Sequence, residues 1–318
     1  MKQSQQGVAL ITAILIVAIA VVLASALVEE LNLDIRRTEN LLYRDQAYMY
    51  DLTAEYLASN VLKEDRKQNN YDGMSDIWAG IAAPVPVEGG QVTGTLMDLQ
   101  GRFNLNNLSP QLNGARYTQE LERFSRLLGA LKLPTNLGNA VVDWLDTDIE
   151  TRSPDGAEDD YYIGLTPPYR TGNTLMFSPE ELRMVKGFNA DGIYDKLAPF
   201  ITALPVVTAI NINTAPIEVL ESLSADITNA DAVAIFTKVQ GDANSVGEPF
   251  ESISDFKKYM QSTLNKKNVS TDGMTTVSEY FLLRSVATIQ QIRLPLFSIM
   301  QRDTDGSAHA ISRSQGVW

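Results

Sequence analysis

Residues 8–28 read VALITAILIVAIAVVLASALV, 21 positions without a charge, and that run limits every fold the chain can adopt. As an α-helix, rising about 1.5 Å per residue, it is about 32 Å long and matches a bilayer core of about 30 Å. Only Thr12 and Ser25 within it are polar. Lys2 precedes it, and Glu29 and Glu30 follow it. That charge order predicts a cytoplasmic N-terminus with the bulk of the chain outside. Residues 8–71 contain no Gly and no Pro. Beyond residue 28, Leu31, Ile35, Leu42, Met49, Leu52, Tyr56 and Val61 keep helical spacing, with charged residues between them. One helix of roughly 90 Å is expected, apolar all round at first and amphipathic later. An ordinary secretory signal has a shorter apolar core followed by a small-residue cleavage site. Here the small residue, Gly7, stands before the core. The plain alternative is a signal anchor with a helical stalk.

Charge and composition exclude several chemistries. The 318 residues include 39 acidic and 26 basic side chains, a net charge of -13. Such a surface repels nucleic acid and favours cations. The one histidine, His309, rules against a histidine-centred triad or a multi-histidine zinc site. No cysteine is present, so no disulfide staples a loop. The sequence holds no G-x-S-x-G, P-loop or Rossmann fingerprint, and no catalytic residue is assigned.

The pattern beyond the helix divides in three. Residues 69–73 end the helix with a polar turn. Residues 91–99 alternate like a half-buried strand, and residues 102–105, past Gly101, suit a partner strand. Helical spacing returns for about 170 residues, 106–276. Its starts include residues 117–131 and 137–145, Ser178-Pro179-Glu180-Glu181, Asn213-Thr214-Ala215-Pro216, Asn229 and Ser252. Strand character resumes at 279–289, at 291–302 with Pro295 marking an edge or bulge, and at 309–314. The simplest fold pairs the strand near residue 95 with those after 279 in one sheet packed on the helix, with the helical part inserted. Trp78, Phe124 and Phe188 are expected in the core.

Residues 143–160 carry eight carboxylates, and only Arg152 opposes them. Ser153-Pro154-Asp155-Gly156 requires a turn inside the cluster. Acids brought together on a folded loop repel, and a hard cation such as Ca²⁺, with 6–8 oxygen ligands, removes that cost. The spacing is not that of an EF-hand, since Thr151 stands where its loop needs glycine. A solvated acidic loop is the competing reading. Asp143, beside Trp144 in an apolar helix, suits a cap or an ion pair. Asn213 to Pro216, followed by Leu220 and Leu223, resembles the opening of a helix-hairpin-helix element. Residues 224–227 lack its glycines and carry Asp226, so the element reads as a packing unit.

Gly7 before an apolar N-terminal helix resembles a type IV pilin or pseudopilin precursor, cut after the glycine by a prepilin peptidase. The fifth residue after the cut is usually glutamate; here it is Thr12. That departure, with Gly101-Arg102-Phe103-Asn104-Leu105-Asn106, Asp143-Trp144-Leu145-Asp146-Thr147-Asp148, Gly156-Ala157-Glu158-Asp159, Tyr161-Tyr162, Pro168-Tyr169-Arg170 and Asn211-Ile212-Asn213-Thr214-Ala215-Pro216, resembles the minor pseudopilin K family of type II secretion.

The resemblance implies an α+β, pilin-like fold with a large inserted α-helical domain. It divides the chain into a leader 1–7, a transmembrane part 8–28, a pilin-like helix with first strands 29–105, helical subdomains 106–203 and 204–276, and C-terminal strands 277–318. It implies a single-pass inner-membrane protein with its bulk in the periplasm, processed between Gly7 and Val8. Its place would be the tip of a pseudopilus, starting assembly and supporting export of folded proteins. Partners would be minor pseudopilins I and J, secreted cargo and the outer-membrane secretin, and no nucleic acid. It also implies structural Ca²⁺, with Asp146, Asp148, Asp155, Glu158, Asp159 and Asp160 as candidate ligands. Thr12 avoids an unpaired charge in the membrane where no subunit lies above. A membrane-anchored periplasmic calcium-dependent hydrolase and a tethered adaptor are the alternatives.

Overall fold

The computed structural model describes residues 5–80, 83–190, 192–242 and 245–316; Lys2 lies outside them. One helix, α1 (Gln5–Gln68), runs without interruption. Residues 7–42 are exposed along its whole first half, which includes a stretch of mean hydropathy 3.0. The second half buries one face. Ala47, Asp51, Ala54, Ala58, Leu62 and Asp65 recur every three or four positions, so they lie in line along the helix. The three alanines let α1 approach closely.

That face covers a five-stranded antiparallel sheet: β1 (Val85–Val87), β2 (Gly90–Asp98), β3 (Tyr280–Ile289), β4 (Ile292–Arg302) and β5 (Ala308–Gln315), in that spatial order. Ala47 and Ala54 meet Val92, Ala287, Ile289 and Leu294. Ala58 and Leu62 meet Trp78, Phe281, Leu283 and Met300. β2 pairs with β3 from Gly90 opposite Ile289 to Asp98 opposite Phe281, so neighbours in the sheet are separated by the whole helical insertion. Pro295 lies inside β4, just before its pairing with β5 begins at Leu296, where a missing N–H costs no ladder bond.

The partner strand expected at residues 102–105 is corrected. Phe103–Asn104 pairs in parallel with Ile201–Thr202 and leaves β2 to β3. The cause is in the side chains. Phe103 is fully buried, 5.1 Å from the Phe124 ring. The Asn104 carbonyl accepts the Leu204 N–H, and its amide donates to the Val206 carbonyl. Both pull the segment into the helical layer.

The insertion contains α2 (Tyr117–Ala130), α3 (Gly138–Leu145), α4 (Ile217–Ser222), α5 (Asn229–Gln240) and α6 (Ile253–Ser262), with shorter turns. Ser178 caps a 3₁₀ turn, Pro179–Met184, through a capping box with Glu181. One apolar core runs from Phe103 to Met274, so a boundary at residue 204 separates no second core. Buried asparagines tie it together. Asn106 donates to the carbonyls of Met176 and Leu204 and accepts from the Met176 N–H. Asn213 does the same in both directions with Phe250. The Asn-x-Asn at 211–213 follows a second parallel two-residue pair, Ile210–Asn211 with Met274–Thr275. The insertion thus repeats one plan twice: a short strand, two asparagines, helices, and a parallel closing strand. Residues 223–228 join α4 to α5 with Ile227 buried, as a packing unit requires.

Candidate functional site

Two features of the sequence reach toward function: the apolar first half of α1 and the acidic loop. Gly7 and Val8 lie inside α1. Val8 is exposed, and the Thr12 hydroxyl donates to the Ala9 carbonyl at 3.0 Å. Thr12 thus satisfies its one polar group inside its own helix.

The acidic loop starts where α3 ends. Trp144 and Leu145 are buried, which fixes the helix end, and Asp146 is its C-cap with an extended backbone. The chain returns to begin a short helix, Asp159–Ile163, with Glu158 at its N-cap. Gly156 sits between them, where an added Cβ would strike the Asp143 carboxylate and the Arg152 carbonyl. The strip from Trp144 through Tyr162 to Tyr169 forms edge-to-face and tilted ring contacts behind the loop, so the acids stand on a rigid floor.

Of the six expected ligands, the fold brings three together. One carboxylate oxygen from each of Asp146, Asp148 and Glu158 lies within 4.8 Å of the others. Asp146 and Glu158 are buried, whereas Asp148 is exposed. Asp155, Asp159 and Asp160 are not in this group. Asp155 accepts from the Asn136 amide. Asp159 accepts from the Thr171 N–H at 3.0 Å and its hydroxyl at 2.9 Å, and these bonds hold its carboxyl below its ordinary range. Asp160 is exposed.

Electrostatics single out Glu158. Burial first, then Asp143, Asp146, Asp148 and Asp159, push it from 4.5 up to about 7. Neither of its oxygens has a hydrogen-bond partner among the described residues, nor has Asp146 Oδ1. Burial also raises Asp143, to about 6. Asp143 accepts from the Arg152 N–H at 3.1 Å and lies 3.4 Å from Arg152 Nε; it is an ion-pair residue, and the cap of this helix is Asp146. Arg152 also lies 3.3 Å from Asp146 and donates to the Tyr117 hydroxyl. Buried, unpartnered oxygens of Asp146 and Glu158, with the exposed Asp148 carboxylate beside them, suit a hard divalent cation, which takes oxygen ligands and offsets their repulsion. The pairing role of Arg152 has only one sequence signal, its being the lone cation in the cluster.

With this geometry in place, the relatives are informative. The family model described as Type II secretion system (T2SS), protein K matches residues 101–206. Type II secretion system protein K of Aeromonas hydrophila is 35% identical over 98% of this chain and 97% of its own. The chain belongs to the type II secretion system protein K family. The Pseudomonas aeruginosa protein K is 32% identical over 99% of this chain and 94% of its own. A chain of the crystal structure of the GspK-GspI-GspJ complex from the enterotoxigenic Escherichia coli type 2 secretion system superposes with a TM-score of 0.74, at 26% identity, over 89% of this chain and 100% of that one. As a protein K, the chain is a pseudopilin of type II secretion with a pilin-like α+β fold. Its long apolar N-terminal helix fits a single-pass membrane anchor.

Proposed function

We propose that this chain is a minor pseudopilin at the tip of an inner-membrane pseudopilus, with its folded body in the periplasm. A prepilin peptidase cuts between Gly7 and Val8, and the new helix end joins pseudopilins I and J. The tip complex starts the pseudopilus and supports export of folded cargo through the outer-membrane secretin. The observation that carries this reading is the likeness, over 89% of this chain, to a chain of the GspK-GspI-GspJ complex. Thr12 adds to it: a subunit with no neighbour above needs no carboxylate to pair with an incoming amine, and a lone charge there is costly. The role is structural and not enzymatic.

Structural Ca²⁺ belongs to the same reading, held by Asp146, Asp148 and Glu158. The cation supplies charge that three close carboxylates otherwise lack. The chain's own contribution is a rigid floor of Trp144, Tyr162 and Tyr169 and the Arg152 brace on Asp143 and Asp146.

Co-expression with pseudopilins I and J in cells, followed by crosslinking from α1, tests the assembly. One copy of this chain per I–J pair is expected, with an N-terminus at Val8 by mass spectrometry. Long homopolymers of this chain, or an intact Met1 in the assembled material, would overturn the reading.

A further inference from the structure

A second group of buried acids lies far along the sequence from the acidic loop, at the foot of α1. Asp65 is on the last turns of the helix, and Asp72 and Asp76 follow in the turn beyond it. One carboxylate oxygen from each lies within 4.8 Å of the others. Their exposures are 2, 0 and 9%. The acids alone do not make a site; the unpartnered atoms aimed into the group do. Among the described residues, Asp65 Oδ2 and Asp72 Oδ1 are buried without a hydrogen-bond partner, and so is Asn69 Oδ1. The Asn69 amide nitrogen donates to Asp76 at 3.2 Å, which holds that side chain against the group.

Arg302, from β4, supplies the local positive charge. It binds Asp72 Oδ2, the oxygen that also accepts the Ser278 N–H. Its other terminal nitrogen stops 3.8 Å from Asp65, too far for a hydrogen bond. Asp65 and Asp72 thus share one guanidinium, Asp76 accepts only neutral donors, the Gly73 N–H and the Asn69 amide, and Asp72 Oδ1 keeps no hydrogen-bond partner among the described residues.

We propose that Asp65, Asp72 and Asp76 bind a second divalent cation of the Ca²⁺ class. The donors are all hard oxygens, as that class requires. The ion joins three parts of the protein. Asp65 belongs to α1. Asp72 is tied to the sheet through Arg302 and to the insertion through the Asn211 amide, which donates to its carbonyl. Occupancy fixes the angle between the long helix and the inserted domain. The proposal does not depend on an ion in the acidic loop.

Terbium titration of the full-length protein in detergent tests it, because each candidate site has its own antenna. Trp78 follows Asp76 by two residues in the same turn, while Trp144 lies beside the loop. With Trp144→Phe in place, tryptophan-sensitised emission should persist and be displaced by Ca²⁺. Adding Asp65→Asn and Asp76→Asn should weaken that binding at least tenfold. These near-isosteric changes remove charge and keep the fold, which the melting curve checks. Trp78→Phe should instead leave only the loop signal, which Glu158→Gln removes. Emission that vanishes with Trp144→Phe, or that survives the paired Asn variants unchanged, overturns the second site. The loop site fails separately if Glu158→Gln alters nothing.

Discussion

Where α1 lies on the sheet, the contact is periodic and mainly apolar: Leu62 inserts among Trp78, Phe281 and Met300, with Glu55 bound to Ser298 and Arg313 at its edge. Within the insertion, short helices are tied by asparagines that grip backbone far away in the chain, as Asn106 grips Met176 and Leu204. The first kind of contact is non-directional and tolerates small shifts; the second is directional and fails when one partner is removed. Both parts therefore rest on buried apolar area, and the insertion adds to its own apolar core a set of directional asparagine bonds.

Five measurements can break or sharpen that contrast. Asn106→Ala leaves an N–H and two carbonyls unpartnered in a dry core, at about 1–3 kcal/mol each, so a loss of about 4 kcal/mol is expected by denaturant unfolding. A loss under about 1 kcal/mol would mean that water or relaxation replaces the asparagine. Leu62→Ala should cost about 3 kcal/mol through the cavity it leaves, and its loss should appear in the helix–sheet contact. If it destabilises the insertion instead, the two regions are one cooperative unit. Calcium at about 100 times its dissociation constant should add about 2.7 kcal/mol per site, read as a rise in melting temperature that chelator reverses. Asp148→Ala should cut that rise, and an unchanged curve would restore the solvated loop.

The fourth measurement is pH dependence without calcium. Glu158 is raised from 4.5 to about 7, and Asp143 from 3.8 to about 6. The folded state holds these protons more tightly than the unfolded state does. Their stabilisation is full below about pH 4 and is lost as pH rises through 6 to 7. Metal-free protein should thus melt lower at pH 8 than at pH 5, and saturating calcium should reduce or reverse the difference. A metal-free curve that rises over that interval would show the acids paired in some other way. The smallest effect is expected from Leu15→Ala. Its side chain is exposed on α1, and the melting of the folded body should stay within about 0.5 kcal/mol. A larger change would show that the anchor packs against the body.

The acidic loop shows how far sequence reading extends. The cluster and the turn within it were visible because eight acids fall in 18 residues, 143–160. Which acids converge was not visible. Asp159 and Glu158 are neighbours in sequence, yet one is bound by Thr171 and the other is turned into the buried group. The foot of α1 gave a weaker signal, a polar turn with Asp72, Gly73 and Asp76. Its meaning depends on Arg302, which lies more than 220 residues on and which no local pattern links to it.

The membrane length of residues 8–28, the unbroken helix to Gln68, and the strand near residue 95 with those after 279 follow from the order of residues alone. Each rests on a period or a length that a short window of side chains sets. The partner of Phe103–Asn104, the single core shared across residue 204, and the three carboxylates that meet in each acidic group were decided only by the tertiary structure. Two-residue strands, asparagine grips and buried charges take their energy from atoms distant in sequence, so the chain must fold before their partners exist.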